Sequence, residues 1–326
     1  MATITATKAG NWSDTTVWDL ARVPQADDDV ALAGYVIVWD TALTRIPATG
    51  TLTSITSTGT AGQISLALDD AAFHSGAGLY ATTIQCGTAP ATYGIIYVTG
   101  TTDHVLTIVT GSSPNGIVGG SNVNAFGIYN PGTGTINITG DLTGGSGANT
   151  PAIHTAGSST VVGNLFCGTG VSGSSYGFYN NGTGTISITG NITAGNYLDD
   201  CGFYNNSTGV VSVNGIITGG GSITAYGFYN KSTGQVTLSA TSQLVQGTNA
   251  PAYDGLAPAW QPDSTAYAKF YTGASFGQAA NTEFPQVLAA EDIKAGVTSG
   301  SVTGTFMIML KTFVKILTES GWVSGV

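Results

Sequence analysis

Charge is scarce in this chain. Only 8% of its 326 residues are Asp, Glu, Lys or Arg, and no Lys or Arg falls between Arg45 and Lys231. Phosphate binding needs clustered cations, so a nucleic-acid groove across that span is excluded. The formal net charge of −10 argues against an anionic membrane surface and reads simply as solubility. Cysteine is sparse too. Cys86, Cys167 and Cys201 form no CxxC pair, which makes a poor disulfide framework and a poor zinc site; small buried strand residues are the expectation. No apolar run reaches transmembrane length. The opening MATITATKAGNW has no apolar core of a secretory signal, so the chain is expected to fold in a reducing cytoplasm.

The chemistry-bearing residues are equally thin. His74, His104 and His154 lack HxH or HExxH spacing, and no GxSxG, P-loop or dinucleotide fingerprint stands in context. Asp199-Asp200 is the only adjacent acidic pair in the regular repeats. Neighbours on a strand point to opposite faces, whereas glycosidases hold two carboxylates across a cleft. Asp27-Asp28-Asp29 has the hard oxygens calcium wants but no EF-hand spacing, and an acidic turn is the simpler reading. No catalytic, cofactor-binding or metal-ligating residue is assigned. The Asn-x-Ser/Thr triplets at Asn137, Asn191, Asn206 and Asn230 follow from the repeat and are expected to stay unmodified without export.

What is present is a period of 25 residues. Segments from Gly127, Gly177, Gly202 and Gly227 read GIYNPGTGTINITG, GFYNNGTGTISITG, GFYNNSTGVVSVNG and GFYNKSTGQVTLSA, with a worn copy from Ala152 and a stub from Ala252. A fixed period marks a stacked architecture in which each unit covers the next. Within each unit, pairs such as Ile136/Ile138, Ile186/Ile188 and Val211/Val213 alternate with polar residues, as strands do. Phe178, Phe203 and Phe228 would stack inside, continuing Ile128 and Ile153. Asn130-Pro131-Gly132 and its counterparts read as turns, because Asn and Gly tolerate positive φ. About 25 residues suit three short strands and three bends. The fold class expected is all-β, a parallel β-helix (β-solenoid), with one short C-terminal α-helix.

Tyr129, Tyr179, Tyr204 and Tyr229 follow the inward aromatic ladder by one residue, so they should form an outward column. Two readings stand: contacts for a glycan or a protein interface, or cross-coil stacking that supports the sheet. His154 takes the same place in the worn copy and is read as a substituted surface position.

Residues 1 to 70 differ in character. Trp12 and Trp18 precede Val23-Pro24, then Asp27 to Asp29, then a strand ending at Asp40. This pattern resembles the opening region of β-helical surface and phage proteins and of the domain with eight conserved glycines, across some 40 residues. The resemblance implies an N-terminal capping or attachment unit whose tryptophans plug the first coil. Nearer the C-terminus, Glu291-Asp292-Ile293-Lys294, then Gly296-Val297 and Gly304-Thr305, resembles a segment of tailed-bacteriophage virion proteins. Ile293 and Lys294 depart from the Val and Arg usual there.

The tail carries the one convincing helix, 306–319. Phe306, Met309, Phe313 and Ile316 fall at a and d of two heptads, with Leu310 and Leu317 beside them. Two heptads are too short to hold alone, so the helix either joins copies, as a bundle of three, or caps its own solenoid. The expected organisation is therefore 1–70 as a cap, 71–257 as solenoid with regular repeats over 127–255, 258–285 as connector, and 286–326 as the C-terminal segment. The resemblance implies a non-enzymatic virion component, made in the host cytoplasm. It would be a homotrimeric fibre-like appendage or decoration of tail or head that meets other virion proteins, with a host surface glycan as a further partner. No nucleic acid and no membrane enters. The alternatives are a receptor-binding or glycan-degrading tailspike, and a bacterial surface adhesin.

Overall fold

The computed structural model describes residues 2–270 apart from 41–42, 58–61, 68–75, 88–93, 101–104, 113–115, 171–174, 223, 232–233, 240–241, 246, 249–252, 256–258 and 262–268; for 243, 253–255, 259–261 and 269–270 it describes the backbone alone. The expected helix at 306–319, with Phe306, Met309, Leu310, Phe313, Ile316 and Leu317, lies outside the described residues.

Among the described residues the strands pair in parallel, and one isolated bridge, Ala6 with Trp18, is antiparallel. The chain winds through three faces in fixed order, so each strand pairs with its equivalent one coil away. One coil runs Leu142–Thr143 on the first face, Ile153–Thr155 on the second and Ser159–Val162 on the third. The next runs Leu165–Phe166, Tyr176–Asn180 and Ile186–Thr189. The second face is a 10-stranded sheet. The other two faces merge into a 19-stranded sheet because strand Ala77–Cys86 pairs on the third face through Gly78 and Leu79 and on the first through Thr83 to Gln85. The β-solenoid read from the period is the fold.

Inward positions form columns along the axis. On the first face Ile4, Val30, Ile55, Ile84, Ile117 and Leu142 stand in register, followed by Leu165, Ile192, Ile217 and Leu244. All of them are buried. Each aliphatic side chain removed from water stabilises by about 1.5–3 kcal/mol, and one column repeats that gain at every coil. On the second face Phe178, Phe203 and Phe228 stack at 4.8 and 4.6 Å, with planes 9° and 7° apart. Parallel pairing imposes that spacing, since neighbouring strands lie ~4.8 Å apart.

The corners differ from the sequence expectation. Asn130, Asn180, Asn205 and Asn230 end the second-face strands, and none is in the left-handed region; all are buried. Their role is a ladder of carboxamides: Asn180 Nδ2 donates to Asn205 Oδ1 at 2.9 Å, and Asn205 Nδ2 to Asn230 Oδ1 at 2.8 Å. A buried amide without partners is costly, and a copy one coil away supplies them. Positive φ occurs at two other corners. Gly140 and Gly190, after the third face, have φ of 134° and 152°, and a Cβ on Gly190 would lie 2.0 Å from the Gly163 carbonyl oxygen. Asn124, Asn149 and Asp199, between the first and second faces, have φ of 59°, 52° and 59°.

The first coils belong to the same three faces: Thr3–Thr5 pairs with Asp29–Ala31, and Gly10–Asn11 with Ile37–Val38. The outer edge of Thr3–Thr5 is closed by the returning chain. Asp19 N donates to Thr5 O at 2.9 Å, Asp19 Oδ1 accepts from Thr5 N at 2.9 Å, and Thr7 N donates to Val17 O at 2.8 Å. Trp12 is fully buried and meets Trp18 edge-on at 5.0 Å; Trp18 Nε1 donates to the Trp12 carbonyl at 3.0 Å. A terminated edge cannot template further pairing.

Candidate functional site

Hydrogen-bond register fixes one outward column on the second face. Val38 stands beside Ser65, Ser65 beside Tyr97, and Tyr97 beside Tyr129. His154, Tyr179, Tyr204 and Tyr229 continue it. The side chain that precedes the inward residue by two positions joins from alongside: Phe126 lies 5.4 Å from Tyr129, Tyr176 lies 5.5 Å from Tyr179, and Tyr226 lies 5.2 Å from Tyr229. The sequence signal for this second set was the residue before the repeat glycine, aromatic in three copies and overlooked.

Ring orientation varies along the column. Tyr179 and Tyr204 stack at 5.1 Å with planes 5° apart, and Tyr97 stacks on Tyr129 at 5.8 Å, whereas Tyr229 meets Tyr204 at 5.2 Å with planes 78° apart. His154 is not a free surface position. Its ring sits edge-on between Tyr129 at 5.2 Å and Tyr179 at 4.6 Å, with Phe126 at 5.0 Å. That burial pushes its pKa down to about 4, so the imidazole is neutral at pH 7. Its Nδ1 has no hydrogen-bond partner among the described residues.

Burial and the neighbouring Tyr204 push the Tyr179 hydroxyl above its usual range, opposed by Lys231 and by a hydrogen bond with Asn206. Lys231 Nζ lies 5.9 Å from the Tyr204 ring centre, and a hydrogen bond with that hydroxyl raises its own pKa. Asn206 Nδ2 donates to Asn181 Oδ1 at 3.1 Å on the exposed corner beyond. The strip is thus aromatic rings rimmed by hydroxyls and carboxamides, and it offers contact area and hydrogen bonds.

Three of the carboxylates the sequence singled out, Asp28, Asp29 and Asp200, accept structural hydrogen bonds. Asp200 is fully buried; its Oδ1 accepts from Ser175 N at 3.1 Å and its Oδ2 from Tyr197 N at 3.2 Å. Burial raises its pKa despite those bonds. Asp199, next to it, is exposed in the left-handed region. Asp28 is clamped by Arg22 through two bonds of 2.6 and 2.8 Å, which hold its carboxyl below the usual range. Asp29 Oδ1 accepts from Ser54 Oγ at 2.7 Å. No group of three His, Cys, Asp or Glu able to hold a metal occurs among the described residues. All three cysteines are buried thiols. Burial pushes Cys86 up to about 12, and burial with Asp200 nearby holds Cys167 well above the usual thiol value, so neither is a ready nucleophile.

One feature carried no signal in the repeat consensus. The loops between the first and second faces raise Val123, Tyr197 and Leu198 into solvent. The chain matches no protein-family model, no curated protein and no solved structure.

Proposed function

We propose that this chain is a non-enzymatic structural component of a tailed-phage particle, a trimeric β-helical fibre-like appendage or decoration of tail or head. The observation that carries this reading is the column organisation itself. Three parallel faces share one unbroken interior from Ile4 to Leu244, a geometry that supplies stiffness along one axis. The carboxylates of the solenoid support the same reading, since Asp141 accepts from Asn164 N at 2.7 Å and Asp200 anchors a turn. Such carboxylates are committed to backbone donors. The N-terminal end is closed and suits docking or capping, while the amphipathic run 306–319 would join copies.

The test has two arms. Purified particles from an infected culture, probed with antibody against this chain, should label at a fixed place on head or tail; unlabelled particles would overturn the virion assignment. Incubation with host polysaccharide should release no reducing ends, and their release would establish the glycan-degrading tailspike instead.

A further inference from the structure

The repeats act as their own alignment, and one coil departs from its neighbours at three stacked positions. Register places His154 between Tyr129 and Tyr179, Thr155 between Asn130 and Asn180, and Ser159 between Ile136 and Ile186. Two of these changes weaken the stack. Thr155 has no carboxamide, so the amide relay from Asn180 through Asn205 to Asn230 does not extend down to Asn130, whose Nδ2 donates to Thr155 Oγ1 at 3.2 Å instead. Ser159 puts a hydroxyl where the flanking coils bury isoleucine, and that hydroxyl has no partner among the described residues. Lost apolar contact and an unpaired buried group both cost stability. The winding changes here as well. Asn164 follows Asp141 by 23 residues, Asn191 follows Asn164 by 27, and Ile216 follows Asn191 by 25.

The third change supplies a trigger. We propose that the coil from Ala152 to Val162 is an acid-sensitive joint, the place where the solenoid opens first, and that protonation of His154 opens it. Tyrosine in this column stays neutral in acid, whereas imidazole takes up a proton within reach of ordinary pH changes. The His154 ring meets Tyr179 at 4.6 Å, Phe126 at 5.0 Å and Tyr129 at 5.2 Å, each edge-on. Its Nδ1 is buried without a hydrogen-bond partner among the described residues. An imidazolium carries a proton on both ring nitrogens, so the charged form would hold a buried N–H with no acceptor. Ring faces return part of that cost by cation–π attraction. Full solvation requires the ring to leave the column, which parts this coil from the two that cover it.

Charge does not compensate. No Asp, Glu, Lys or Arg lies between Asp141 and Asp199, and the acids on either side are engaged with other groups. Asp141 Oδ1 accepts from Asn164 N at 2.7 Å and from Asn164 Nδ2 at 3.1 Å; Asp200 accepts from Ser175 N at 3.1 Å and Tyr197 N at 3.2 Å. Lys231 borders the strip, 5.9 Å from the Tyr204 ring centre, and adds a like charge. The strands that pair with Ile153–Thr155 carry Tyr129 on one side and Tyr176 and Tyr179 on the other, all neutral in acid. Burial alone holds the His154 pKa down to about 4, below the ordinary 6.5. The open coil therefore binds the proton first. Acid favours opening from about pH 6.5 down to about 4, and the closed coil is favoured above that window.

Hydrogen–deuterium exchange of the full-length chain at pH 7 and pH 4 tests this by mass spectrometry, with rates corrected for the intrinsic effect of pH and read as protection. In the parent, protection over 152–166 should fall at least tenfold at pH 4 and end below that of 203–218, which should change less than threefold. His154→Phe keeps a ring in the column without the titrating group and should hold the change over 152–166 to less than threefold. His154→Tyr, which restores the residue of the flanking coils, serves the same purpose if the first variant fails to fold. No fall, an equal fall in both stretches, or protection over 152–166 that stays above that of 203–218 would overturn the joint. A fall that persists without the histidine would overturn the trigger, and the proposal with it, and pass the acid response to Asp141 and Asp200.

Discussion

The first coils and the later repeats solve the same stacking problem with different chemistry. Residues 3–40 use ionic and aromatic groups: Arg22 clamps Asp28, Asp19 closes an edge strand, Asp40 accepts from Ser13 Oγ at 2.5 Å, and Trp12 and Trp18 fill the end. Residues 127–245 use neutral copies of themselves, with Phe on Phe and Asn on Asn. An end has no next coil to satisfy its backbone, so individual side chains must do so. An interior coil has an identical neighbour on both sides, and a neutral amide that both donates and accepts suits that symmetry. The comparison teaches that the end relies on an ion pair and aromatic filling, whereas the repeats stack on self-complementary rungs, with Asp141 and Asp200 tying loops across coils.

That contrast can be broken experimentally, and the interior should break hardest. Phe203→Ala removes a fully buried ring from between two others, and thermal or denaturant unfolding should show a loss of about 3–5 kcal/mol. Asn205→Ala orphans Asn180 Nδ2 and Asn230 Oδ1 together, with an expected loss of about 2–4 kcal/mol. An exposed rim residue would cost far less, so a small effect would mean the ladder is decoration. At the cap, Arg22→Ala leaves the buried Asp28 carboxylate without its cation. Stability should fall by about 1–3 kcal/mol, with an upward move of the Asp28 pKa visible by NMR titration.

Acid should sharpen the comparison through His154. Its folded pKa of about 4 lies below the ordinary 6.5, so the unfolded chain takes up the proton first. Stability is then complete above about pH 6.5 and declines as pH falls towards about 4. The total loss approaches about 3 kcal/mol, at ~1.4 kcal/mol per pH unit. His154→Phe should remove that part of the decline. The smallest effect should be a gain. Ser159 stands in an inward column between Ile136 and Ile186, and its buried hydroxyl has no partner among the described residues. Ser159→Val should stabilise by about 1–2 kcal/mol in the same unfolding assay.

Much of this was legible because a repeat writes its fold once and then says it again. Ile136/Ile138 and their copies announced the third face, and Phe178, Phe203 and Phe228 the interior of the second. The outward tyrosine column followed by counting one residue further. The first face was harder to see: Leu142–Thr143, Leu165–Phe166 and Ile192–Thr193 are strands of two residues, too short for alternation to declare itself. The corner asparagines misled, since Asn130 and its copies look like turn formers yet serve as buried rungs. His154 keeps its outward place in the column, half-buried by rings that arrive from the coils above and below.

Deleting one complete period tests the stacked arrangement most directly. Removal of residues 178–202 joins Gly177 to Phe203, the partner of Phe178 in register, and leaves every column intact but one step, ~4.8 Å, shorter. Circular dichroism with thermal melting should show the parent's β signal per residue and a midpoint lowered by only a few degrees. Removal of residues 178–190 should abolish cooperative melting, because half a coil cannot close. If both deletions unfold the chain alike, or both are tolerated alike, the coils do not stack as independent rungs.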